Sequence, residues 1–473
     1  MLHSHFHHSA RLRGGENPHG KDPPAADTLQ LANLSLLEED RGLDKFSDLQ
    51  AGMGTGGEGM GRQEGNDNDG DDREVLWRYK LIRSIGEECI QESELKELLR
   101  SRFSKRRVNH SSLTPPSFSP GHGMRPGTAG DLGINANDSV GAGGGQRIRC
   151  YDGFEPSGRM HIAQGVQKVL AVNRLTAAGC SFTFWIADWF AQLNNKLGGD
   201  LKKIQTVGRY FIEVWKSLGM DLTNVTFLWA STEINKNPDK YWSLVMDIAR
   251  HTSLARINRC QTIMGRNQSA ESLPASGVMY SCMQCADIFF LRAEICQLGM
   301  DQRKVNMLAR EYAEEKGRRR LVKPIILSHR MLPGLRQGQE KMSKSDPESA
   351  IFMEDTQADV NAKIKRAYCP PQIIEGNPVL EYARYLVLPR IQRLNITRRL
   401  QDGGNTTYRG WEALREDYQA GRLHPGDLKP AVASALNEIL EPVRRHFKEN
   451  EEARDLLARV KKYRRGGGST SKK

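Results

Sequence analysis

No apolar run of roughly 18 residues occurs anywhere in the chain, so no helix long enough to span a bilayer is expected. Cysteine is also scarce in pattern. The eight cysteines are scattered rather than regularly spaced, which fits reduced thiols in a cytosol-like compartment. Cys282 and Cys285 form a lone CxxC. A zinc site needs two further ligands at a sensible spacing, and none is visible, so no metal site is expected. No internal repeat is apparent.

What is present begins with length and charge. With 473 residues the chain can bury more than one core, and two domains plus tails is the natural division. A net charge of +12 favours an anionic partner, an inference about the surface rather than the fold. Residues 1–73 read as a disordered extension. They contain the low-complexity runs GMGTGGEGMG and NDNDGDD, too poor in apolar surface to offset chain entropy. The first 15 residues hold Arg and His without a balancing run of acid, as a transit peptide would, but the acidic stretch that follows argues against a long one. His3, His5, His7 and His8 read as a solvated tail.

From Arg73 to about Phe103, Val75, Leu76, Tyr79, Ile82 and Ile85 recur at helical spacing, and Gly86 separates this helix from a second one carrying Leu95 and Leu98. Residues 104–147 are rich in Ser, Pro and Gly and read as a flexible insert. From Ile148 onward short β-type runs alternate with helical ones. Phe182–Ile186 and Val225–Trp229 are strand candidates, with a helical pattern over 201–217 between them. This alternation predicts an α/β fold with a parallel sheet covered on both faces. Residues 238–275 read as a helical insertion, Leu335 to Ser345 as a loop, about 356–462 as helical, and 464–473 as a basic tail.

The chain is organised around CYDGFEPSGRMHIAQG, from Cys150 to Gly165. A strand-like run breaks at Gly153, Pro156 and Gly158 and resumes as an amphipathic helix pattern, the geometry that offers backbone N–H groups to a phosphate. Far downstream stands KMSKS, Lys341 to Ser345. The pair resembles the two signatures of class I aminoacyl-tRNA synthetases. The surrounding words FEPSG, MYSCMQCADIFF, GMDQRK and HPGDLK resemble tyrosyl-tRNA synthetases of the archaeal and eukaryotic cytosolic type, over roughly residues 74–462.

The resemblance implies a Rossmann-type catalytic domain over 74–348, a helical anticodon-binding domain over 349–463, a dimer interface in the 238–275 insertion, and a cytoplasmic tyrosine–tRNA ligase. It would use ATP with Mg²⁺, L-tyrosine and tRNA(Tyr). Amino-acid activation needs no enzyme nucleophile. The protein supplies position and positive charge while the α-phosphate becomes pentacoordinate. The resemblance gives ATP contacts to Gly158, His161, Gln164, Lys341, Ser343 and Lys344, of which His161, Lys341 and Lys344 stabilise the reacting phosphates. Gln164 stands where the signature has a second histidine, and Ala163 where it has glycine.

For tyrosine the resemblance gives Tyr151 and Asp287 to the phenol. Tyr280, Gln284 and Gln302 hold the ammonium and carboxylate, with Glu155 near the amine or supporting its loop. Tyr280, Gln284 and Asp287 are spaced i, i+4 and i+7, so they share a helix face. Arg303 would face the acceptor stem. Asp427 has two readings: a helix N-cap, or, by resemblance, a contact to the first anticodon base. Relatives stack an aromatic residue on that base. Here the position is Asp402, which leaves Tyr408 or Trp411 for the role. Two rivals remain, a tryptophanyl-tRNA synthetase and an RNA-binding protein that kept the fold and lost catalysis. Tyr151 with Asp287 speaks against the first, and the intact signature pair against the second.

Overall fold

The computed structural model describes residues 67–104, 147–264, 274–315, 321–342 and 346–463. Most of the N-terminal extension, the 104–147 insert and the basic tail lie outside them. The chain enters with α1 (Asp67–Arg83), which starts inside the stretch expected to be disordered, then β1 (Glu88–Ile90) and α2 (Glu92–Phe103). The strand between the two helices departs from the helical-hairpin expectation. Three residues flanked by Gly86 and a left-handed Gln91 are too few to show an alternating pattern.

The central sheet continues with β2 (Ile148–Phe154), β3 (Cys180–Ile186), β4 (Val225–Trp229), β5 (Ile295–Cys296) and β6 (Ile325–Ser328). The order is β1-β6-β5-β2-β3-β4. All pairs are parallel except β1 with β6. Runs such as CSFTFWI make strands because β-branched and aromatic side chains pack well on a pleated surface. Alternate residues face opposite sides. Cys150, Phe182 and Phe184 enter one core and Tyr151, Trp185 and Cys296 the other, so both faces are buried.

The first core is covered by α1, α2, α3 (Lys168–Ala177) and α5 (Leu201–Ser217). Helix α5 is capped by Asp200, which accepts from Lys203 N at 3.1 Å. It presents Val207, Phe211, Val214 and Trp215 inward, and Trp215 stacks on Phe184 at 4.5 Å between ring centroids. The second core is covered by α6 (Ala230–Lys236), α7 (Pro238–His251), α8 (Leu254–Cys260), α9 (Ala275–Phe290) and α10 (Arg303–Glu314), with α4 (Asp188–Leu193) beside the sheet's end.

The C-terminal half comprises α11 (Gln357–Arg366), an irregular helical segment over 378–391, α12 (Trp411–Gln419), α13 (Pro425–Glu449) and α14 (Glu451–Tyr463). Its buried residues are continuous with the first core, and α14 packs along α5. One feature departs from the helical expectation. A two-stranded antiparallel sheet, β7 (Leu394–Ile396) and β8 (Thr406–Tyr408), carries an exposed hairpin.

The chain runs β2, β3, β4 toward one edge and then returns to place β5 on the other side of β2. In open α/β sheets this reversal opens a crevice at the carboxyl ends of the strands. The segments leaving β2, β5 and β6 all reach that crevice.

Candidate active site

The crevice is a cavity of about 530 Å³, within the range of small-molecule sites. Its lining includes ten of the residues named from sequence: Tyr151, Glu155, His161, Gln164, Tyr280, Gln284, Asp287, Gln302, Lys341 and, through its neighbour Ser157, the turn at Gly158. Ser343 and Lys344 lie outside the described residues. A larger groove of about 920 Å³ lies between α11 and α13, and no predicted site residue opens into it.

At one end of the cavity Tyr280, Gln284 and Asp287 project from a single face of α9, as their spacing requires. Asp287 is 1% exposed and accepts from Tyr241 Oη at 2.7 Å. Burial pushes the Asp287 carboxyl well above the usual carboxylate range, with the Tyr241 hydrogen bond pulling the other way. Burial, then the charge of Asp287, likewise raises the Tyr151 phenol. The cavity thus ends in a sealed cluster of polar groups that share protons rather than carry full charge, suited to pairing with a polar group on an otherwise apolar ligand.

Further along, Tyr280 Oη donates to Glu155 Oε1 at 2.8 Å, and Asn194 Nδ2 donates to both Glu155 oxygens at 2.9 and 3.1 Å. Lys196 Nζ stands 3.6 Å from Glu155. Glu155 therefore anchors the loop after β2 to α9. Gln284 Nε2 donates to Gln302 Oε1 at 3.0 Å, and Gln302 Nε2 to Ile263 O at 3.2 Å. The Gln284 Oε1 acceptor is buried without a partner in the structure. A buried amide oxygen is costly to leave unpaired, so a ligand donor is its natural partner.

The opposite wall is the turn after β2. Gly158 has φ +126°, open to glycine and costly for other residues. His161 pairs with Phe352 in an isolated antiparallel bridge, one step ahead of the helix rather than on its first turn as expected. The helix opens as a π turn over Ala163–Gln167 before becoming α3. Such turns recur at functional sites. Here the widened turn leaves Gln164 O accepting from Trp215 Nε1 at 3.0 Å. Gly165 lies so close to Met353 that a Cβ would sit 2.3 Å from its Sδ.

The segment following KMSKS is tied to this turn. Ile162 N donates to Ile351 O and Met353 N to Met160 O, each at 2.9 Å. Arg159 pairs with Glu354 and, at 2.7 Å, with Asp355, and its guanidinium lies 4.1 Å over the Phe352 ring. Two signatures some 180 residues apart in sequence are thereby one structural unit. Lys341 enters the same cavity, where its ammonium partly offsets the burial that raises Asp301.

Sequence reasoning missed a buried chain behind the site. Asp152 pairs with Lys168 at 2.5 Å, Lys168 Nζ donates to Gln297 Oε1 at 2.8 Å, and Gln297 Nε2 meets His329 Nδ1 at 2.8 Å. Burial, reinforced by Lys168, holds the His329 imidazole well below its usual range. It is therefore neutral near pH 7, and accepting from Gln297 leaves the proton on Nε2. Tyr241, Asn194 and Lys196 were also missed. All lie on other elements from the motifs, and no local pattern marks a residue whose partner is 40 or more positions away.

Two predicted residues lie elsewhere. Arg303 opens α10 outside the cavity, half-exposed, and pairs with Glu88 of β1 at 2.8 Å. Asp427 is not the N-cap of α13. His424 takes that place, its Nδ1 accepting from Gly426 N at 3.0 Å, and Asp427 sits in the helix's first turn. The imidazole reaches the orphan N–H before the carboxylate does. Tyr408 is buried with its hydroxyl donated to Asp417 at 2.6 Å and is closed to stacking.

A crevice at the switch point, floored by polar groups and walled by the paired signatures, defines a class of protein, and comparison with known families agrees. The family described as tRNA synthetases class I (W and Y) matches residues 144–441, and the chain belongs to it. Within that family it is 56% identical over 391 residues to tyrosine–tRNA ligase 1, cytoplasmic, of Arabidopsis thaliana, covering 83% of this chain and 90% of that protein. Tyrosine–tRNA ligase 2, cytoplasmic, of the same plant matches at 56% over 391 residues, but the match spans 46% of its length. Among solved structures, Leishmania major tyrosyl-tRNA synthetase in complex with tyrosinol superposes with a TM-score of 0.69 at 47% identity, covering 82% of this chain and 61% of that one.

Proposed function

We propose that this chain is a cytoplasmic tyrosine–tRNA ligase. It joins L-tyrosine to ATP as the adenylate, releases pyrophosphate, and transfers the tyrosyl group to the 3′ end of tRNA(Tyr). The observation that carries the reading is the 56% identity over 391 residues to a tyrosine–tRNA ligase. The site chemistry supports it. A cavity ending in Tyr151 and a buried, proton-sharing Asp287 suits a phenol, and phenylalanine would leave both unsatisfied. Failure to satisfy such groups can discriminate by about 10⁵ without editing, for which tyrosyl-tRNA synthetase is itself the standard example.

In this reading the Gln284 Oε1 acceptor meets the substrate ammonium, with Tyr280 and Gln302 beside it and Glu155 as the group that positions Tyr280. Gly158, His161 and Gln164 line the nucleotide's side of the cavity. Lys341, with Ser343 and Lys344 beyond it, supplies positive charge to the departing pyrophosphate. The described residues contain no group of three potential metal ligands, so Mg²⁺ would arrive on the ATP phosphates rather than in a protein cage. Residues 74–348 form the catalytic part and 349–463 the anticodon-binding part. Arg303 would meet the acceptor stem by exchanging Glu88 for phosphate, and Asp427 the first anticodon base. A homodimer would form through the insertion, where Met246 and Leu254 are more than 60% exposed.

The decisive measurement is amino-acid-dependent ATP–pyrophosphate exchange over a panel of amino acids. Exchange with tyrosine and not with tryptophan or phenylalanine is expected. Exchange with tryptophan, or with none, would overturn the reading.

A further inference from the structure

A second cleft, of about 570 Å³, opens behind α3. Leu170, Ala171 and Arg174 of α3 form one wall, α1 another, and the residues flanking 384–389 and 409–413 the third. Gln167 borders both this cleft and the first cavity. Its charges do not balance. The lining holds two acids, and each already has a partner: Glu92 takes Arg83 at 2.8 Å and the Tyr79 hydroxyl at 2.5 Å, and Glu412 takes Arg415 at 2.7 Å. Arg174 donates to the Ser84 carbonyl at 3.2 Å. Lys80, Arg384 and Arg409 also line the cleft, and among the described residues none of the three makes an ion pair or a hydrogen bond.

Three unpaired cations in one concavity repel one another, and low-dielectric walls focus their field on whatever enters. The aromatic surface lies in the same place. The Arg384 guanidinium sits 4.9 Å over the Trp411 ring and 5.0 Å over Tyr385. A guanidinium plane held against an indole is a preformed platform for a nucleobase, and the neighbouring cations suit a phosphate. We propose that this cleft binds a phosphorylated nucleoside, either a free nucleotide or one nucleotide of a bound RNA. The base would lie against Arg384 and Trp411 and the phosphate against Lys80 and Arg409. The assignment goes beyond the proposed activity, since nothing in amino-acid activation uses this cleft.

The test uses the full-length chain, its Arg384→Gln/Arg409→Gln variant, and a charge-keeping Arg384→Lys/Arg409→Lys control. Guanosine triphosphate is the free-nucleotide probe, chosen because adenine nucleotides enter the first cavity, and a tRNA(Tyr) transcript is the RNA probe. Loss of guanosine triphosphate binding by about tenfold or more in the glutamine variant, with the lysine control retained, assigns the cleft to free nucleotides. A drop in tRNA affinity, with the log–log salt slope of binding smaller by about 1.4, assigns it to RNA. Unchanged affinity for both probes overturns the proposal. Tyrosine-dependent pyrophosphate exchange and melting temperature are expected to stay at wild-type values in both variants. Absence of exchange in the parent would count against the proposed activity and leave the nucleotide measurement standing.

Discussion

Asp287 concentrates the specificity of the site in one carboxyl. Asp287→Ala is expected to lose tyrosine activation heavily and gain little with phenylalanine, because deleting one partner leaves Tyr151 and Tyr241 unsatisfied in a buried place. Exchange kinetics with both amino acids check this, and near-normal tyrosine activation would remove Asp287 from the pocket. Its raised pKa also has a thermodynamic sign. The folded state holds the proton more tightly than the unfolded state does. The stability from this group is therefore full below the ordinary carboxylate value and is lost as pH rises toward the folded value. Asp287→Asn, neutral throughout, should gain stability relative to wild type as pH is raised above about 4, measured by denaturant unfolding across pH.

Lys341 acts on charge that develops only as pyrophosphate leaves. Lys341→Ala should slow adenylate formation while tyrosine affinity stays nearly intact, which pre-steady-state kinetics and tyrosine titration separate. An equal loss in both would reassign it to ground-state binding.

At the scale of elements, the site depends on two segments being held together. Arg159 joins the turn after β2 to the strand-like 350–353 segment through Glu354 and Asp355, whose side chains are 4% exposed or less. Removing one member of such a cluster leaves buried charge uncompensated. Arg159→Ala should cost about 3 kcal/mol of stability. Because the same bond aligns the nucleotide side of the cavity, the KM for ATP should rise more than that for tyrosine. A variant that melts normally with unchanged KM for ATP would show that the backbone pairs at Ile162 and Met353 suffice.

Asp427 belongs to this scale too. Since His424 already caps α13, Asp427→Asn should leave the melting temperature and pyrophosphate exchange unchanged. Charging of tRNA(Tyr), and its discrimination at the first anticodon base, should both fall. Charging kinetics on transcripts with and without the anticodon guanine decide the point, and equal charging of both by wild type and variant would leave Asp427 a first-turn residue near the helix dipole.

For the whole molecule, the exposed apolar residues of α7, α8 and α9 are the testable surface. Met246, Leu254 and Met279 are 63%, 62% and 41% exposed, on a region otherwise packed against the second core. The double substitution Met246→Lys/Leu254→Lys should shift a dimer toward monomer in analytical ultracentrifugation without unfolding it, since exposed apolar patches of this kind mark interfaces. An unchanged dimer would place the interface elsewhere, and a monomeric parent would remove it.

Much of this was legible from residues alone. The Gly158 turn, the helical face of Tyr280, Gln284 and Asp287, strands β3 and β4, and helix α5 follow from rules acting within a few residues: glycine's access to positive φ, the 3.6-residue period, and the packing of aromatic runs on a pleat. Strand β1 was not legible, because three residues carry no period and its place as an antiparallel edge exists only once β6 lies beside it. The β7–β8 hairpin fails for the same reason. Nor could sequence show that Asp287 bonds to Tyr241, that Lys168 leads from Asp152 to Gln297 and His329, or that His424 displaces Asp427 from the cap. Local sequence determines the elements and the types of groups they carry, because backbone preference and periodicity are short-range. Which of those groups meet, and which are buried deeply enough to share a proton, depends on contacts between residues up to some two hundred positions apart, as Arg159 and Asp355 are, and only the folded chain decides those.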